Sequence, residues 1–431
     1  MGEGEALREA TSAGAGKRYH HQYRDAVGEI HSRPLLRVPA DSTVIHYAFM
    51  AEGGSSVSKA VLAEICRLSG APAPDANARF CTVPVSGGQL SWESHSEFST
   101  FTFTAKAPRK AATLPARHPF GSDFSQPGSI IAACTVDIRK LTPTTRKLVG
   151  QFDPHATCAS VLEDGKSLLV TDFRQNAEGF TQYLLLDAGL IENRIGYYTK
   201  LAIEIETYRT LALLGLPLAR TLSAHLSRSE HELERLTRAV REGPQEDNEK
   251  LLSEINDLAA DIEVDSAASL FRFGASRAYG SIVQDRLESL GDVSYPGYMR
   301  ISRFVNRSLL PALRTCESIE NRQANLSRKL ARIANLLRTR VEVEIENQNR
   351  NVLASMDRRA RLQLRLQQTV EGLSVAAVSY YVVGLFYYLI QAIEPVMPFP
   401  VSPKVAAGLF VPVAIGLVWL IVRQIRRHHS E

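Results

Sequence analysis

Two long apolar runs near the C-terminal end constrain this chain more than any other feature. Residues 372–393 read GLSVAAVSYYVVGLFYYLIQAI, and residues 405–422 read VAAGLFVPVAIGLVWLIV. Neither run holds a charged residue or a histidine. A bilayer core is crossed by roughly 20 apolar helical residues. A helix also satisfies its own backbone groups, which lipid demands. The expected arrangement is a C-terminal transmembrane hairpin. The other reading, a buried helical hairpin in a soluble protein, would make the charges around it a coincidence.

Those charges set an orientation. Arg358, Arg359, Arg361 and Arg365 precede the first run, and Arg423, Arg426 and Arg427 follow the second. The connecting loop, residues 394–404, holds only Glu394 and Lys404. Lys and Arg near a span stay on the cytoplasmic side, so both termini are expected in the cytoplasm. The seven arginines are then placed to contact anionic lipid headgroups. Ionisable groups mark ion and proton pathways in membranes, and these spans have none. Ser374, Ser379, Tyr380 and Tyr387 would be the polar lining of any pore on the first span. Gly408, Pro412 and Gly416 recur at four-residue steps and offer a face for close helix packing.

The chain has 431 residues, enough for two or three domains, and a formal charge of +4, too slight to imply a partner. Five scattered cysteines without a CxxC pair suit a reducing compartment. Residues 1–18 lack an apolar signal segment and read as a disordered lead-in. Residues 19–188 are expected to form an α+β cytoplasmic head. Residues 189–371 are expected to form helical hairpins and a long stalk or coiled-coil helix. The spans 372–393 and 405–422, the outer loop 394–404 and a basic tail 423–431 complete the chain.

Periodicity fills in these divisions. Strands are expected at 44–49, 80–85, 90–105, 130–138, 159–163, 167–173 and 180–186, with a helix at 57–68. Asp164-Gly165-Lys166 marks a hairpin. Strands with a few interspersed helices predict a sheet covered on one face. Helical patterns follow at 190–214, from Leu218 to Val240, and from Leu251 to Leu290 across a glycine-bearing stretch. Residues 291–297 read as a turn. The last helix carries Leu326, Leu330, Ile333, Leu337, Val341, Ile345 and Val352 on one stripe, and no proline interrupts it from Ala312 to Ile393. Gln348 falls on that stripe, either as a buried amide that fixes register or as a wet residue on a rotated stripe. From Asn321 to Glu371 there are eleven Arg or Lys against five Asp or Glu. The charges are spread round the helix without aromatics, which reads as a solvated face. No nucleic-acid partner is expected.

Motifs of chemistry are sparse. Gly165-Lys166-Ser167 ends like a phosphate-binding loop, but Ser160 stands where the first glycine belongs. No cofactor, metal or catalytic residue is expected from any motif. One polar cluster stands out: His31 and Arg33 in EIHSRP, with His95 and Glu97 in SWESHSEFSTFTF. On an unbroken strand His95, Glu97, Phe101 and Phe103 share a face. A His and a Glu on an apolar face must pair or border a cleft. Arg33 and His31 are the expected partners. Such a group is either a small-ligand, metal or acid/base site, or a structural ion pair at a strand end.

The run TRVEVEIENQNRNVLASMDRRARLQLRLQQTVEGLSVAAVSYYVVGL (339–385), with EIHSRP, SWESHSEFSTFTF and IEIETYRTLALLGLPLAR (203–220), resembles a bacterial family of uncharacterised membrane-anchored proteins. The resemblance covers nearly the whole chain. It implies a multi-pass protein of the bacterial inner membrane and carries no activity with it. A looser, architectural likeness is to the CorA-type magnesium channels, which also join a cytoplasmic domain, a long helix and two C-terminal spans. The Gly-Met-Asn triplet of those channels is absent here, where the chain reads YYLIQAIEPV. The leading expectation is a homo-oligomeric, partner-binding module held in the lipid bilayer, with a protein partner. The alternatives are an oligomeric two-span ion channel or transporter and an enzyme with its site in the head.

Overall fold

Period-two alternation in the first half of the chain builds one mixed sheet. Its strands are β1 (Ser42–Met50), β2 (Phe80–Val85), β3 (Gly88–Ser94), β4 (Phe98–Lys106), β5 (Ile130–Lys140), β6 (Cys158–Leu162), β7 (Ser167–Gln175) and β8 (Thr181–Asp187), with β9 (Val293–Ser294) added from much later in the chain. The order is β2-β3-β4-β1-β5-β8-β7-β6-β9. Only the β5–β8 pair is parallel among these strands. Helices α1 (Ser55–Ser69) and the short α2 (Pro143–Arg146) lie between strands. After β8 come α3 (Glu192–Leu213), α4 (Gly215–Glu242), α5 (Asn248–Leu290), α6 (Ile301–Ile393) and α7 (Pro403–His428).

This computed structural model describes residues 23, 36–51, 54–75, 78–110, 114–121, 123–243, 247–393 and 402–428, with side chains as far as residue 424. The lead-in 1–18, His31, Arg33, residues 394–401 and the side chains of Arg426 and Arg427 lie outside the described residues. Two compact units are present. One takes the chain up to Glu242 together with Ser253–Ile333, and the other takes Gly243–Leu252 with Ala334–Glu431. The first unit therefore extends past the expected break at residue 188 and includes α3, α4, most of α5 and the start of α6.

The sheet of the first unit is covered on both faces, not on one. Val44, Ala48, Val136 and Leu185 point to a core shared with Ile195, Leu201 and Ile205 of α3, Val283 and Leu287 of α5, and Val305 and Leu309 of α6. Their strand neighbours Ile45, Phe49, Trp92, Phe101 and Phe103 point the other way, onto Leu62 and Cys66 of α1. Burial of one such large side chain stabilises by about 1.5–3 kcal/mol. The alternation in TFTFT predicts a wet face, but the threonines face α3, so the polar side of the sheet is covered too. Residues 90–105 are two strands rather than one. Ser94 pairs with Ser99, and the His95 N–H donates to the Phe98 carbonyl at 2.8 Å. The small polar residues around Ser96 close a hairpin that the flanking alternation conceals.

Helix ends and crossings follow from named residues. Gly70 adopts φ 68° after α1 and its N–H reaches the Arg67 carbonyl, a left-handed stop that glycine takes without strain. Helix α5 runs unbroken through its glycines. At Gly280 a methyl group would lie 2.5 Å from Leu313 Cδ1, so glycine there permits close contact with α6. The expected turn at 291–297 contains β9, and Asp292 just before it caps α6. Its Oδ2 accepts from Ser302 N–H at 3.1 Å and from the Ser160 hydroxyl at 2.7 Å. Ser160 Oγ in turn accepts from Ile301 N–H at 2.8 Å. Caps of this kind contribute about 1 kcal/mol each. The residue that spoils the phosphate-loop reading thus fastens the longest helix to the sheet.

Helix α6 is 93 residues long and starts eleven residues before the proline-free stretch, with Pro311 inside it. Leu326, Leu330 and Leu337 of its stripe are buried, whereas Ile345 and Val352 are exposed. Gln348 is also exposed, so it fixes no register within this chain. In the second unit Phe386 of α6 stacks on Phe410 of α7, centroids 4.0 Å apart. The buried positions of α7 are Ala407, Ala414 and Val418. Gly408 and Pro412 are exposed, and methyl groups at Gly408 or Gly416 would meet open space. The face expected for close packing is therefore not the one this chain uses.

Candidate functional site

The polar side of β2, β3 and β4 decides where the first unit opens. Thr82 on β2, Gln89, Ser91 and Glu93 on β3, and Thr100 and Thr102 on β4 all face α3. These short side chains cannot fill the space that Phe101 and Phe103 fill on the other face. The result is a cavity of about 370 Å³. Lys200, Ile203, Glu204, Thr207 and Tyr208 of α3 form its opposite wall. Phe80 and Phe98 close it on the strand side, and Leu36 and Arg37 border it from the segment before β1.

Apart from the exposed Arg37, its charges are paired. Lys200 Nζ lies 3.0 Å from Glu93 Oε1 and 4.0 Å from Glu204 Oε1. Arg286 of α5 holds Glu204 Oε2 at 2.5 Å. His95 Nε2 is 3.7 Å from Glu93 Oε2, and its ring stacks on Phe98 at 4.1 Å. Deeper in, His46 stands at a position of β1 where Val44 and Ala48 on either side are core residues. Its Nδ1 is 2.9 Å from Thr102 Oγ1, and its Nε2 is 3.1 Å from Thr207 Oγ1. Burial, then the positive fields of His95 and Lys200, push the imidazole pKa down to about 3. His46 is therefore neutral, with one nitrogen donating and the other accepting.

The hairpin turn separates the two residues that the sequence groups together. His95 takes its place at the cavity beside Glu93, on the side of Thr100 and Thr102, and not on the face of Phe101 and Phe103. Glu97 turns toward α5, where Arg272 lies at 3.2 Å and the Tyr279 hydroxyl donates at 3.2 Å. Burial and Glu97 raise the Tyr279 pKa, which keeps its proton in place for that bond. His31 and Arg33 lie outside the described residues. His46, Glu93, Lys200 and Glu204 escaped the sequence reading. One signal was present: His46 is the single polar residue in VIHYAF.

A second buried polar group lies on the next turn of α3. Glu206 accepts from Thr181 Oγ1 at 2.9 Å, from the Tyr183 hydroxyl at 2.8 Å and from Arg209 at 2.7 and 3.0 Å. Burial and the Glu206 charge hold the Tyr183 phenol well above its ordinary pKa. Arg209 also lies 4.8 Å over the Phe173 ring. With every acceptor lone pair engaged and little open space beside it, this group joins α3 to β8. Among the described residues no set of His, Cys, Asp and Glu is arranged to hold a metal ion.

The polar residues of the first apolar run differ in burial. Ser379 is buried, Ser374 and Tyr380 are exposed, and Tyr387 is half-buried. The Ser374 hydroxyl donates back to the Val370 carbonyl at 2.8 Å. Among the described residues the basic feet, Arg358, Arg359, Arg361, Arg365 and Arg423, are exposed. Arg361 pairs with Asp357 at 2.5 Å, and Arg423 lies 5.0 Å over the Trp419 ring. The molecule thus combines a mixed-sheet α+β unit holding a polar cavity with two helices long and apolar enough to cross a membrane. Within that class the chain belongs to the family described as a protein of unknown function, DUF3422, whose model matches residues 18–429. No protein of curated function matches the sequence.

Proposed function

We propose that this chain is a membrane-anchored module on the cytoplasmic side of a bacterial inner membrane, which self-assembles and binds partners there instead of carrying out catalysis. One observation carries the reading: the apolar surface of the two C-terminal runs is bare. Leu373 and Leu409 are each 73% exposed, and Leu385, Tyr388 and Leu420 are exposed with them. A core helix of a water-soluble protein buries such residues, whereas a bilayer covers them without protein contacts. Exposed arginines at both feet suit anionic headgroups.

Self-assembly draws support from the stretch between. Residues 341–371 are helical, yet Ile345, Val352, Met356, Leu362, Leu366 and Val370 are all exposed. Copies held in one bilayer by the same spans would present these residues to one another in parallel, at high effective concentration. Membrane fractions washed with alkaline carbonate test the anchor. The full chain is expected to stay with the lipid, and a chain ending at Glu371 is expected in the supernatant. Release of the full chain by carbonate would overturn the reading. Light scattering in mild detergent, with the micelle subtracted, tests assembly, and the mass of a single chain would remove that part.

A further inference from the structure

We propose that the cavity between α3 and the polar face of β2, β3 and β4 binds a small neutral polyol, of the size of a mono- or disaccharide. This goes beyond the anchoring reading and does not depend on it. The volume of about 370 Å³ lies in the range of small-molecule sites, which is on the order of 300–1,000 Å³.

Charge narrows the class first. Arg37 borders the cavity as an exposed residue. Further in, the two carboxylates and the ammonium group already compensate one another: Lys200 lies between Glu93 and Glu204, and Arg286 covers Glu204. A charged ligand would have to compete with these part-buried pairs. A neutral ligand leaves them intact and still accepts from Lys200 and donates to Glu93.

The remaining polar groups narrow it further. Thr82 and Ser91 share a long hydrogen bond of 3.4 Å. Thr100 is 5% exposed, and among the described residues no side-chain hydrogen bond is made by its hydroxyl or by the Gln89 amide. Groups that both donate and accept are best met by ligand groups that do the same, and a hydroxyl is the smallest of these.

The aromatic rings argue against a flat heterocycle. One face of Phe98 is taken by His95 at 4.1 Å, and Tyr208 and Tyr279 approach it edge-on at 6.0 and 6.2 Å. A base sandwiched between rings has no matching pair here. The C–H face of a sugar against Phe80 and Ile203 needs none.

The test uses the full chain in a detergent without a sugar headgroup. D-glucose, sucrose and myo-inositol are titrated calorimetrically, beside adenosine and sodium glutamate. At least one of the three polyols is expected to bind saturably, with no binding of adenosine or glutamate. Thr100→Val keeps the volume and breaks no existing hydrogen bond, so its ligand-free melting temperature should match the parent. Its polyol affinity should fall about tenfold, the usual cost of one hydrogen bond. Three outcomes would overturn the proposal: no saturable polyol binding, binding of adenosine or glutamate instead, or unchanged affinity in Thr100→Val.

Discussion

Helix α3 and the 341–371 stretch of α6 are both helical and both mix charge with apolar residues, yet their surroundings are opposite. Nearly every turn of α3 is buried, Glu206 included, whereas the large apolar residues of α6 from Val343 to Leu373 are exposed. In α3 a charge is tolerated because four donor groups meet it. In α6 a charge is tolerated because water does. The same ion-pair motif is therefore structural in one helix and nearly idle in the other.

The sharpest way to break the contrast is Glu206→Ala. Arg209 would be left buried without its carboxylate, and Tyr183 and Thr181 without their acceptor. A loss of about 3–5 kcal/mol is expected, read by denaturant unfolding followed through the buried Trp92. A loss below about 1 kcal/mol would mean that the buried group is dispensable.

Acid supplies the next largest effect. His46 has a folded pKa of about 3, below its ordinary value of 6.5. The unfolded chain takes up a proton in that window and the folded chain does not. Stability from this residue is full above pH 6.5 and is lost as pH falls toward 3, by roughly 1.4 kcal/mol per unit. His46→Gln should flatten the unfolding free energy between pH 6 and 4 relative to the parent. Parallel pH profiles for the two would show that His46 is not the sensor.

Thr102→Val is expected to cost about 1–3 kcal/mol, because it leaves a buried imidazole nitrogen unpaired. It contrasts with Thr100→Val, two residues away on the same face, which breaks no bond. Equal melting temperatures for the two variants would contradict the geometry. The smallest effect is expected on α6: Arg350 and Glu346 are paired at 2.7 Å but largely exposed, so Arg350→Ala should change stability by less than about 0.5 kcal/mol. A larger loss would show that 341–371 is shielded from water.

Most strands and helices were legible in the sequence because alternation and three-to-four spacing are local. The apolar runs were legible for the same reason. What escaped was non-local or punctual. The turn at His95 is three residues long inside two well-patterned strands, so the pattern ran through it. The polar side of TFTFT read as solvated, because nothing local says that α3, a hundred residues later, lies over it. His46 meets Thr102 and Thr207, which are 56 and 161 residues away. His95 borders the cavity on the face opposite to the one expected for it, and its expected partners His31 and Arg33 lie outside the described residues. Glu93, its neighbour at 3.7 Å, lies two positions before it and no local pattern singles it out.

The link between Ser160, Asp292 and the first turn of α6 also fixes an order of events. It is the contact that completes the sheet edge, and its last residue, Ser302, is made about seventy residues before Gly372 opens the first apolar run. At roughly 5–20 residues per second of synthesis, that interval is on the order of 4–14 seconds. Small domains fold within milliseconds to seconds. The sheet and its cavity can therefore be complete while the first apolar run has yet to be made.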